Sequence, residues 1–168
     1  MGRCPKGRIG LVKLKIICIG KTKKGFISHG IMDYMTRLKH YTSMEWIELQ
    51  SSRKQKPSKH DNGLRREAER IRENIRTSAL KVILTEGGKE FNSPDFAKWL
   101  ERQMIEGRQE IDFILGGDQG LAQSILSDAD LCLSLSKMTF THQMTRLILL
   151  EQIYRAFTII RGEPYHHG

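Results

Sequence analysis

Five short apolar runs, separated by segments of helical character, constrain this chain to an α/β fold. The runs are Leu14–Ile19, Met44–Leu49, Ala79–Thr85, Ile111–Leu115 and Leu131–Leu133. Bounded by turn residues and too short for buried helices, they read as strands. Helices are expected over Gly25–His40, about Gly63–Ser78, Ser93 to near Gly107 and, briefly, Ala122–Leu126. Ser93-Pro94-Asp95 marks a helix start, with Ser93 as N-cap, Pro94 at the first helical position and an acid in the first turn. Gly87-Gly88 reads as a flexible turn closing the third strand. Such alternation builds a mostly parallel sheet flanked by helices on both faces, and ligands bind such sheets beyond the carboxyl ends of the strands. Here the loops after the third, fourth and fifth runs are the ones rich in Gly, Ser and Thr. With no internal repeat and no composition break, residues 14–168 are expected to form one domain, after a basic, disordered extension over residues 1–13.

The last third of the chain carries the most information. After Leu131-Cys132-Leu133 and a polar turn, a helix is expected from about Thr141 to Ile160, with Leu147, Leu150, Tyr154 and Phe157 on one stripe. Met144, Ile148, Ile153 and Ile160 widen that stripe, which implies packing on more than one side. The same helix holds Arg146, Glu151, Gln152 and Arg155, which are costly to bury without partners. Two readings fit this pattern: a subunit interface beside a ligand site, or a core helix with solvated charges.

The net charge of +9 favours an anionic partner, nucleic acid being the commonest. The expected helix over 63–78 bears Arg65, Arg66, Arg70, Arg72 and Arg76, preceded by a loop with Arg53, Lys54, Lys56 and Lys59. Either Glu67, Glu69 and Glu73 pair with these arginines at helical spacing, or the face meets an RNA backbone. The three cysteines, Cys4, Cys18 and Cys132, are odd in number and have no close pair, which fits a reducing cytoplasm and neither a disulfide framework nor a zinc site. No run approaches the about 18 apolar residues of a membrane span.

Familiar catalytic motifs fail on spacing. Gly20-Lys21-Thr22 has Lys15 where a phosphate-binding loop needs its first glycine. Gly116-Gly117-Asp118-Gln119-Gly120 has Leu115 where a dinucleotide fingerprint needs glycine. This loop is either a close backbone approach to a cofactor or a tight turn. The histidines show no metal-binding spacing, so no metal is expected.

Leu135-Ser136-Lys137-Met138-Thr139-Phe140, His142-Gln143-Met144, Leu149-Leu150-Glu151-Gln152-Ile153-Tyr154-Arg155-Ala156-Phe157 and the terminal Arg161-Gly162-Glu163-Pro164-Tyr165-His166 together resemble the bacterial ribosomal large-subunit methyltransferase H family. The likeness covers about residues 13 to 167 and is strongest from Phe113 onward. It implies a SPOUT-type fold with a C-terminal trefoil knot, and a homodimer with active sites at the subunit interface. The implied reaction is methylation of N3 of a pseudouridine in 23S rRNA of the ribosome, with S-adenosylmethionine as donor. It further implies a cofactor cradle of Leu84, Gly116 and Leu135, Ser136, Lys137, Met138, Thr139 and Phe140, with His142, Arg146, Tyr165 and His166 on the acceptor side. Two departures stand out: Thr85-Glu86 where the family has an acid directly after the strand leucine, and Thr141 where it has proline. Thr141 can still serve as an N-cap. The alternatives are a ribosome-associated RNA-binding protein that keeps the fold without catalysis and, less favoured, a nucleotide-dependent enzyme.

Overall fold

The structure, a computed structural model, describes residues 12–52 and 60–165, with backbone only for residues 60–62. The elements are β1 (Lys13–Ile19), α1 (Phe26–Leu38), β2 (Ser43–Leu49), α2 (His60–Asn74), β3 (Leu80–Glu90), α3 (Ser93–Ile105), β4 (Glu110–Leu115), α4 (Gln123–Leu126), β5 (Leu131–Ser134) and α5 (His142–Arg161). The strands form one sheet in the order β2-β1-β4-β3-β5, with every pairing parallel. All five therefore end on the same edge. Alternate residues feed two cores, as the pleat requires. Leu14, Ile16, Cys18, Val82 and Phe113 face the layer of α1, α3 and α5. Ile17, Ile19, Ile83 and Ile114 face Ala68 and Ile71 of α2 and Ile125 of α4.

α5 lies against both α1 and α3, burying Leu149, Leu150, Ile153, Ala156 and Phe157. Its many-sided apolar surface is thus largely consumed within the chain. Its charges have partners too: Arg155 pairs with Glu151 at 2.6 Å, and Gln152 accepts from the Ser93 hydroxyl at 2.8 Å.

Several boundaries differ from expectation, each for a local reason. Lys13 already belongs to β1, its amide donating to Gln109 at 2.7 Å; residues 1–11 of the expected extension lie outside the described residues. Helix α2 stops at Asn74 because the amide of Arg76 donates to the Asp112 carboxylate at 2.8 Å instead of continuing the helix. Asn92, not Ser93, caps α3, accepting from the Asp95 amide at 2.8 Å, which leaves the Ser93 hydroxyl for Gln152.

Gly87-Gly88 does not end β3. The strand runs on to Glu90, pairing with β5 up to Leu84, slipping register, and pairing again from Lys89. Leu133 is thereby opposite both Leu84 and Lys89. The second pairing needs glycine, since a Cβ on Gly88 would stand 2.6 Å from the Leu133 carbonyl carbon and 2.7 Å from that of Cys132. Because both are backbone atoms, neither can give cheaply. Gly88→Ala is expected to lower stability by about 2 kcal/mol or more, within the range of overpacked cores. A urea-unfolding midpoint equal to wild type would contradict this.

Candidate functional site

A cavity of about 940 Å³ opens beyond the ends of β4 and β5, against residues 84–86 where β3 slips register. Leu84, Leu115, Leu133 and Leu135 give it apolar walls. On the β4 side the chain turns at Gly117–Gly120, the Gly120 amide donating to the Gly117 carbonyl at 3.0 Å. A Cβ on Gly116 would meet the Gly120 carbonyl oxygen at 2.7 Å, so this turn closes only around glycine. On the β5 side the Ser134 hydroxyl donates to the Ser136 carbonyl at 3.1 Å, and the Ser136 hydroxyl accepts from the Met138 amide at 2.9 Å. These bonds fix the loop that carries Met138, Thr139 and Phe140 along the rim. Lys137 is exposed and lies outside the lining. Phe26 and Met138 add large exposed apolar surfaces at the mouth, 73% and 74% accessible.

The start of α5 forms the fourth wall. Thr141 caps the helix, accepting from the Met144 amide at 3.3 Å, so the proline departure leaves the helix start intact. Gln143 then grips the β1–α1 loop from both ends of its carboxamide, donating to the Lys21 carbonyl at 3.2 Å and accepting from the Lys23 amide at 3.0 Å. Arg146 completes the clamp. Its guanidinium is fully buried and donates to Ile19 O at 2.7 Å, Gly20 O at 2.9 Å and Thr22 Oγ1 at 2.9 Å. Glu48 lies 3.8 Å away and accepts from the Thr22 hydroxyl and from Trp46 Nε1. Burial pushes the Glu48 carboxyl up, but the Thr22 and Trp46 donors and the Arg146 charge outweigh it and hold the group below its ordinary range.

Arg146 therefore does not share the cavity with His142, despite their helical spacing. It holds the loop that brings Lys23, Phe26 and Ile27 to the wall. His142 does face the cavity, with Nδ1 2.6 Å from Oδ1 of Asp118. Tyr165 lies elsewhere in the chain. Its ring packs edge-on against Tyr154 at 4.8 Å, and its hydroxyl sits 3.3 Å from both Tyr34 and Glu151. Burial and these neighbours raise its pKa. His166 lies outside the described residues.

The loop after β1 was legible as polar and Gly-containing, yet only the third to fifth loops stood out in composition. Lys23 and Phe26 escape notice for that reason, whereas Asp118 and Gln143 lie in segments the sequence singles out, where only the folded contacts mark them. Thr85 and Glu86 also line the cavity, on the segment where β3 slips register. The arginines at 70–76 serve tertiary contacts more than helical pairs: Arg70 donates to Gln50 O at 2.7 Å, Arg72 pairs with Asp128 at 3.1 Å, and Arg76 meets Glu45 at 2.6 Å. Arg53, Lys54, Lys56 and Lys59 lie outside the described residues.

Among the described residues no cluster of three or more His, Cys, Asp or Glu side chains offers a metal site, and no helix is long and apolar enough to cross a membrane. Cys18 is buried, and burial pushes its thiol up to about 12, so it is not a nucleophile at neutral pH. The cavity instead suits an organic group with an apolar ring and a polar rim. Leucines flank it, glycine backbone closes around it, and Glu86 and Lys23 supply opposite charges at its margin.

The family described as predicted SPOUT methyltransferase matches residues 12–166. Proteins called ribosomal RNA large subunit methyltransferase H are similar along nearly their whole length. The Christiangramia forsetii protein is 40% identical, covering 92% of this chain and 98% of the relative. The Geobacter metallireducens protein is 42% identical, covering 94% and 100%. Among solved structures, a probable methyltransferase from Bordetella pertussis superposes with a TM-score of 0.56 at 10% identity, covering 87% of this chain and 95% of that one. A probable methylase family protein from Haemophilus influenzae gives 0.52 at 13% identity, over 94% and 71%. At such identities these two bear on the fold alone, and the fold agrees. The chain therefore belongs to the SPOUT methyltransferase family.

Proposed function

We propose that this protein transfers the methyl group of S-adenosylmethionine to N3 of a pseudouridine in 23S rRNA, acting in the cytoplasm as a homodimer on the assembled ribosome. The observation that carries the reading is the cavity itself: the loops after β4 and β5 converge with the register slip of β3 at one edge of a parallel sheet. Their leucine walls and glycine backbone match what a purine nucleoside needs. The names of the relatives supply the ribosomal acceptor.

Leu84, Gly116, Leu135, Ser136, Met138, Thr139 and Phe140 would hold the cofactor, largely through backbone groups, with Glu86 in place of the acid that family members carry one position earlier. Lys137, exposed beside the rim, faces the RNA. The bound donor supplies an already activated methyl group, so the protein's work is alignment, exclusion of water and removal of the acceptor proton. Phe26, Met138 and Phe140 line the mouth and exclude water once RNA covers them. His142, on the wall, is the side chain placed to meet the acceptor base. Arg146 acts indirectly, by fixing the β1–α1 loop. Tyr165 and His166 lie on a tail that in this reading serves the active site of a second subunit. The chain after β5 is threaded as a trefoil knot in this reading, as the family resemblance implies.

The test is calorimetric titration of the purified protein with S-adenosylmethionine, repeated on Gly116→Val, whose side chain would clash with the Gly120 backbone and disrupt the turn on the β4 side. Micromolar binding by wild type, lost in the variant, is the expected result. No binding by wild type would remove the enzyme reading and leave a ribosome-associated RNA-binding protein of the same fold.

A further inference from the structure

The contact between Asp118 and His142 joins two walls of the cavity that are far apart in sequence. Asp118 sits in the glycine turn after β4, and His142 is the first residue of α5. Both side chains line the cavity, and Nδ1 of the imidazole is 2.6 Å from Oδ1 of the carboxylate. At that distance the two atoms share a hydrogen bond, and an ionised carboxylate can only accept. Nδ1 therefore carries a proton. In a neutral imidazole the second nitrogen, Nε2, is then the basic one. An imidazole left to itself has no such commitment.

We propose that Asp118 is a positioning residue that holds His142 in the Nδ1–H tautomer, so that Nε2 accepts the N3 proton of the target base. The inference rests on the methyl-transfer reading and adds the proton's destination to it. The N3–H bond breaks toward Nε2 as the N3 electron pair forms the new bond to the methyl carbon. The carbon–sulfur bond electrons return to the sulfonium sulfur, which leaves as a neutral thioether. The charge lost at sulfur appears on the imidazolium, beside the Asp118 carboxylate. No further reactant is required. The base has to stand on the acceptor side of the donor, and His142 lines the cavity just after the loop that ends at Phe140.

A merely structural latch between the two walls predicts something else. It would make Asp118 matter for cofactor affinity and leave turnover at saturation alone. Two measurements separate the roles. The first is nitrogen-15 NMR of histidine-labelled protein without ligands, assigned with H142Q, which reads the tautomer independently of activity. Wild type is expected to show a protonated Nδ1 and an unprotonated Nε2 above neutral pH, D118A to lose that preference, and D118N, which keeps an acceptor oxygen, to lose less of it. The second is methyl transfer to ribosomes lacking the modification. D118A is expected to lower kcat by about 10- to 100-fold, a modest share of what general-base catalysis provides. The Kd for S-adenosylmethionine should stay within about twofold. An Nε2–H tautomer in wild type, or an unchanged kcat in a D118A protein with weakened cofactor binding, would overturn the proposal while leaving the methyltransferase reading intact. Wild type that binds cofactor but methylates no 23S acceptor would overturn that reading and this role with it.

Discussion

Replacing Arg146 by alanine is expected to lower stability by about 4 kcal/mol and to weaken cofactor binding in whatever fraction stays folded. The guanidinium is fully buried and serves the carbonyls of Ile19 and Gly20 and the Thr22 hydroxyl together. Its removal leaves these acceptors without their donor and Glu48 without its nearby cation, in a space water reaches poorly, on top of the void left by the side chain. Losing one partner of a buried charged network typically costs about 3–5 kcal/mol. Lysine would not repair it, because a single ammonium lacks the fork that reaches three acceptors. The cofactor effect follows from geometry, since the loop that Arg146 and Gln143 hold carries Lys23 and Phe26 to the cavity wall. Urea unfolding and calorimetry on R146A and R146K together check this. A stable R146A protein with wild-type affinity would show the clamp to be dispensable.

Arg76→Ala should be nearly as costly to the fold and silent at the site. Arg76 lies toward the opposite end of the sheet. It meets Glu45 at 2.6 Å, Asp112 at 3.4 Å and Glu110 at 3.6 Å. Asp112 is completely buried. Burial is the main influence on its carboxyl and raises its pKa, against the downward pull of the Arg76 amide and charge and of Lys15. Without Arg76 the buried carboxylate loses its partly exposed counterion, at a cost of about 3 kcal/mol. The sign with pH follows from the raised pKa. Above it, Asp112 must be buried charged, or take up a proton on folding, so the loss is largest. As pH falls through the folded pKa the carboxyl is neutral in both proteins, and the difference between wild type and R76A narrows. Denaturant titrations at pH 8 and near pH 4 read this directly. Cofactor affinity of folded R76A is expected to match wild type, in contrast to R146A.

The contrast between these two arginines shows how far the sequence could be read. The strand runs and their order gave the parallel sheet because short apolar segments alternating with helical ones have few other ways to bury themselves. Leu84, Gly116 and the loop from Leu135 to Phe140 were recognisable for their position after strands and their resemblance to a known family, and all of them except Lys137 line the cavity. The resemblance puts Arg146 on the acceptor side with His142, while only the folded chain reveals that the β1–α1 loop packs over that part of the helix and takes up its guanidinium. Asp118 and His142 could not be paired from sequence, since the contact depends on how the β4 turn meets the start of α5. Gly87-Gly88 read as a strand end because paired glycines usually break strands. Here the close passage of β5 against β3 demands the missing side chain at Gly88. Asn92 displaced Ser93 as cap because both can accept from the first turn, and only tertiary packing gave the serine another partner in Gln152.

The central claim is that the cavity at the carboxyl edge of the sheet delivers a methyl group to rRNA. The most direct measurement is transfer of labelled methyl from S-adenosylmethionine to ribosomes lacking the modification, followed by nucleoside analysis of the 23S RNA. Label in N3-methylpseudouridine, abolished by Gly116→Val and reduced by D118A, is the expected result. Label in another 23S nucleoside would overturn the pseudouridine assignment, and none despite tight cofactor binding would contradict methyl transfer to this RNA altogether.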